Sequence, residues 1–203
     1  MCSDDAVSEV IGFSLILVMI ILALGIWSVH AVPQFAEDLE RSQNDHLLRQ
    51  FAAFKYDLDS FVAAENTGVY GQKIFILAPI KAPVSIFSVS RPFPGRFCME
   101  RGVPAFQENG TAYYPVVFTY QSANRHAENI VLELRAGVLT AKPSAFILPK
   151  SGKGNTAHHI VVADSSFVPW AVSRTEQVIV EYRLEKILHS ESGFLYVFDF
   201  SMR

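Results

Sequence analysis

The sequence predicts an α+β protein: a long N-terminal helix, transmembrane and then amphipathic, followed by an antiparallel β-sandwich-like domain. Three observations lead there. Val10 to Val32 form an unbroken apolar run with no Asp, Glu, Lys or Arg. From Gln34 to Ala64, apolar residues return at spacings of three and four. After Gly68 the chain changes to short β-rich runs separated by Pro, Gly and Asn. The implied division is a short N-terminal segment (1–9), a membrane helix (10–32), an amphipathic helix (33–66) and a β-rich domain (67–203).

The apolar run holds one titratable side chain, His30. At about 1.5 Å of rise per residue, its roughly 23 residues reach a little over 30 Å, the thickness of a bilayer's hydrocarbon core. In lipid a lone segment satisfies its own backbone only as a helix. Core helices are seldom apolar all round for this long. A cleaved secretory signal fits poorly, because no basic region precedes the run and no A-x-A-like site follows it. Trp27 and His30 near the far end suit a membrane interface. Gly12 and Gly25 would permit close approach of a neighbouring helix or local unwinding.

Pro33 follows directly, and a kink or a break is expected there, since proline lacks an N–H and disfavours helical geometry at Val32. Beyond it, Phe35, Leu39, Leu47, Phe51, Phe54, Leu58, Phe61 and Val62 form one apolar stripe. Glu37, Asp38, Glu40, Arg41, Asp45, Arg49, Lys55 and Asp57 fall mainly elsewhere, with Asp45 and Arg49 an i,i+4 pair. The stripe should dock on the following domain or on the same helix of another subunit. Gly68, in Asn66-Thr67-Gly68, is suited to cap the helix.

Strands are expected at 73–77, 84–89, 113–120, 130–134, 145–148, 158–162, 177–184 and 193–200. Several alternate in polarity, and turn signals space them as antiparallel sheets of a sandwich. No helix-crossover pattern argues for a parallel sheet.

The chain has 203 residues and a net charge of −3, without the basic face of a nucleic-acid binder. Cys2 and Cys98 lie on opposite sides of the membrane run, so no disulfide framework is implied, and Cys98 reads as a small buried apolar residue. Ser151-Gly152-Lys153-Gly154-Asn155 is not a phosphate loop: Gly154 stands where Ser or Thr is needed. His158 and His159 are adjacent, so on a strand they face opposite ways. No catalytic constellation, metal-ligand spacing or cofactor motif stands out. Asn109-Gly110-Thr111 is both a tight-turn signal and a sequon, which makes Asn109 a candidate N-glycosylation acceptor.

Ahead of the run, Glu9 stands at its edge. It is either an interfacial acid favoured by the helix dipole or a partner for another chain's N-terminal amine. The segment Ala6-Val7-Ser8-Glu9-Val10-Ile11-Gly12, followed at once by a long apolar helix, resembles the start of archaeal type IV pilin-like proteins. The resemblance covers about residues 4–32, or to 64 with the second helix, and says nothing of the β-rich domain. It implies a class III signal peptide, read on the cytoplasmic side by a prepilin peptidase through those seven residues. It also implies that the helices pack with copies of themselves or with other pilin-like subunits, with Glu9 setting the register. The N-terminus would be cytoplasmic and the β-rich domain extracytoplasmic. Asp4 and Asp5 occupy the place where such leaders carry a basic and a small residue. The first basic residues, Arg41 and Arg49, follow the run, so charge alone leans toward the opposite orientation. The alternative function is a permanently membrane-anchored binding or cell-envelope protein that does not polymerise.

Overall fold

The computed structural model describes residues 3–78, 93–104, 106–143, 146–148, 160–163, 167–190 and 193–203. The expected strand at 84–89, the loop 151–155, His158 and His159 lie outside them. Among the described residues, one helix, α1 (Ser3–Ala64), comes first and eleven strands follow. They are β1 (Tyr70–Ile76), β2 (Arg96–Arg101), β3 (Phe106–Glu108), β4 (Thr111–Gln121), β5 (Val131–Arg135) and β6 (Val138–Lys142), then β7 (Phe146–Leu148), β8 (Ile160–Ala163), β9 (Trp170–Ser173), β10 (Gln177–Ser190) and β11 (Gly193–Met202). This is the predicted α+β order, a long apolar helix and then antiparallel sheets.

Helix α1 is continuous through Pro33, so the proline does not break it. Its 62 residues make a rod about 90 Å long. It ends at Ala64, where Glu65 takes a left-handed backbone with φ 51°. Glu65, not Gly68, therefore closes the helix. The Gly68 amide instead donates to the Leu184 carbonyl at 2.8 Å and leads the chain into β1.

Strand β4 belongs to two sheets. Its start pairs with β3 and β8, and its second half lies between β2 and β5. One sheet runs β1-β10-β11-β8-β4; the other runs β9-β2-β4-β5-β6-β7. Pro115 sits near the changeover, where a missing N–H is tolerated. One pair departs from the antiparallel expectation: β8 runs parallel to β11, with Leu195 beside Ile160. Two-residue turns close the β3–β4 and β5–β6 hairpins. Asn109 and Gly110 have φ 49° and 81°, and Ala136 and Gly137 have 48° and 78°. Two successive positive φ values match the twist that flanking strands require.

The core is shared by the helix and both sheets. Leu47, Phe51 and Phe54 of α1 are fully buried beside Phe75, Phe97, Phe118, Leu132, Val180 and Phe198. Phe54 stands at its centre, edge-on to Phe118 (5.1 Å), Phe75 (5.4 Å) and Tyr182 (5.4 Å). Such tilted pairs add about 1 kcal/mol each beyond area burial.

Candidate functional site

The sequence places two different surfaces on one helix. From Val10 to Phe35, every side chain of α1 is exposed or half-exposed. Phe13 is 69% exposed, Ile20 51% and Val29 70%. The first core residue is Ala36. The uncovered arm is therefore about 39 Å long. Its mean hydropathy reaches 2.8, and among the described residues it is the helix that is long and apolar enough, by length and composition, to cross a membrane. Water tolerates apolar patches of a few hundred Å². This one surrounds the helix on all sides, so the arm calls for an apolar environment.

The arm also settles its own polar groups. Ser14 Oγ donates to the Val10 carbonyl at 2.8 Å, and Ser28 Oγ to the Leu24 carbonyl at 2.7 Å. Neither hydroxyl needs water or a neighbouring chain. A Cβ added at Gly12 or Gly25 would meet open space, as on a helix with no neighbour in place.

Where the arm meets the domain, the buried stripe turns polar. Phe35, expected inside, is 55% exposed, and Ala36 takes the inward position. Glu40, Gln43 and Asn44 follow it on the buried face, and Lys55 lies deeper at 1% exposure. Glu40 and Lys55 were expected on the outer face. Specific partners hold them inside. Glu40 accepts the backbone N–H groups of Arg125 (2.9 Å), His126 (2.7 Å) and Ala127 (2.6 Å). Burial alone would raise its pKa. The three backbone donors, helped by the His126 charge, outweigh that and hold the carboxyl below its ordinary value. Lys55 pairs with Asp59 at 2.6 Å. Glu37 bonds Arg41; Asp45 and Arg49, expected to pair, form no ion pair among the described residues.

Gln43 donates to the Leu77 carbonyl, and Asn44 to the Glu128 carbonyl at 3.3 Å. Gln50 completes the end of β1, donating to the Ile76 carbonyl (3.2 Å) and accepting from the Ile76 amide (2.7 Å). Helix side chains thus pair backbone groups that the sheet leaves open. The loop 122–130 is locked onto α1 at the root of the arm.

Other expected site residues are spread out. Ala6, Val7, Ser8 and Glu9 lie on the first turns of α1, and Val10, Ile11 and Gly12 continue them. Asn109 lies exposed on the β3–β4 turn, away from the arm's first turns. Cys98 is buried and unpaired in β2. Among the described residues, no group of three His, Cys, Asp or Glu side chains gathers as a metal site would require.

No protein-family model, curated protein or solved structure matches this chain.

Proposed function

We propose that this chain is a pilin-like surface protein that sits in the membrane through its arm and assembles into a filament by packing that arm against other copies or other pilin-like subunits. The observation that carries the reading is the uncovered apolar arm, continuous with a helix that forms the core of a β-domain. Each large apolar side chain moved from water into a helix bundle contributes about 1.5 to 3 kcal/mol, and the arm offers such residues on all sides. In this reading a prepilin peptidase recognises Ala6 to Gly12, Glu9 sets register against a neighbour, and the β-domain faces away from the cytoplasm. The protein is a structural subunit without catalytic activity or cofactor.

The second reading, a permanent anchor for a binding domain, is favoured by Asp4 and Asp5 where a basic leader residue belongs. One experiment separates the two. The N-terminus of protein purified from its native membrane is sequenced, beside protein from a strain lacking the prepilin peptidase. Loss of about the first five residues in the peptidase-containing strain alone supports the pilin route, and Glu9→Ala then tests assembly. An intact N-terminus in both strains rejects it and leaves the permanent anchor.

A further inference from the structure

Three strands end together beside the root of the arm. Arg96 opens β2 and lies in register between Gln121, the last residue of β4, and Ser173, the last of β9. Side chains at register positions share a face, and all three are exposed. Arg174 follows Ser173, and Arg125 arrives on the loop after β4. Arg96, Arg125 and Arg174 line one cleft of about 450 Å³, and among the described residues no Asp or Glu joins them in its lining.

Their situation differs from that of four other arginines, though Arg49 also lacks an ion pair among the described residues. Arg41, Arg135, Arg183 and Arg203 each have a carboxylate partner. Among the described residues none of the three cleft arginines has one, although the chain as a whole is acidic. One of them is held in place. Arg125 stacks over the Phe93 ring at 4.3 Å, and its backbone N–H is gripped by Glu40. Arg174 has a left-handed backbone, φ 62°, where glycine would be unstrained.

The cleft also faces a particular way. Phe118 of β4 packs on Phe54, while the loop after β4 meets Glu40, about 21 Å nearer the arm along α1. Strand β4 therefore points toward the arm. Glu40 itself lies only about 12 Å along the helix beyond Val32, the end of the apolar run. Guanidinium forks match the geometry of phosphate oxygens.

We propose that this cleft is a phosphate site, and that its ligand is the headgroup phosphate of an anionic lipid beside the arm. The lipid source rests on the arm's being in a membrane; the phosphate chemistry of the cleft does not.

The full chain in a nonionic detergent is titrated calorimetrically with inorganic phosphate. Its retention of phosphatidylglycerol over phosphatidylcholine is then measured by native mass spectrometry. Two variants accompany it: Arg96→Gln, and Arg174→Gly, which relieves the backbone while removing the charge. We expect phosphate binding that weakens with salt, a preference for the anionic lipid, and a loss of about tenfold in both with either variant. Phosphate binding without lipid preference supports the site and overturns the headgroup as its ligand. No phosphate binding at millimolar concentration, or binding equal in Arg174→Gly, overturns the site. Neither result depends on whether the N-terminus is processed, so this proposal and the pilin reading fail separately.

Discussion

Replacing Glu40 with Ala should cost about 3 kcal/mol. The carboxylate accepts three backbone N–H groups, from Arg125, His126 and Ala127, at 2.9, 2.7 and 2.6 Å. Bonds to a buried charged acceptor can reach about 3 kcal/mol each. Arg125 and His126 are exposed, however, so water can reach their amides once Glu40 is gone. That lowers the loss to about 1 kcal/mol per bond. With a urea slope of about 2 kcal/mol/M, the unfolding midpoint should fall by about 1.5 M. The assay is urea unfolding of the full chain in nonionic detergent. It is followed through Trp170, which packs on the core, in a Trp27→Phe background.

The pH dependence has a definite sign. Folding favours the ionised carboxyl, whose pKa is lowered. Its contribution is complete above the ordinary glutamate value and is lost as pH falls through the lowered one. The gap between the native chain and Glu40→Ala should therefore close in acid. A midpoint within about 0.25 M of the native chain's, or a gap indifferent to acid, would refute the reasoning.

Phe54→Ala removes the ring at the centre of the aromatic cluster and should cost about 3 to 5 kcal/mol by the same unfolding assay, against about 1 kcal/mol for Phe54→Leu. Tyr120 and Tyr182 are both pushed up to about 12, each mainly by burial, with the Asp57 charge adding to Tyr182. In an ultraviolet titration these two phenols should ionise last. Unfolded tyrosines ionise near 10, so stability should decline from there upward as pH rises toward 12. Replacing both with Phe should flatten that decline.

The sequence was most readable where one physical demand dominates. An uncharged run longer than 20 residues admits few readings, and the Phe51-Phe54-Leu58 spacing names its buried face at once. The stripe misleads at its N-terminal end. Phe35 and Ala36 are neighbours, and hydrophobicity selects Phe35, whereas the helix phase that buries Phe51 and Phe54 turns Ala36 inward. Glu40 was unreadable for a different reason. Its partners are backbone amides 85 to 87 residues away, which leave no trace in composition or periodicity. Strands β2, β3, β6 and β9 were not anticipated. Arg96-Phe97-Cys98-Met99-Glu100-Arg101 carries charge at both ends and no β-branched residue; its ladders to β4 and β9 decide its state. The cleft arginines come from three chain regions, so only the common end of three strands assembles them.

Because α1 is one unbroken helix whose last third is the centre of the domain's core, the arm and the domain share a rotational phase. Each residue of an α-helix advances about 100° and 1.5 Å. Inserting a single residue between Val32 and Ala36 would leave both the arm and the core sequence intact, yet swing the domain about 100° around the arm's axis. Whatever the arm packs against thus dictates the compass bearing of the cleft and of Asn109.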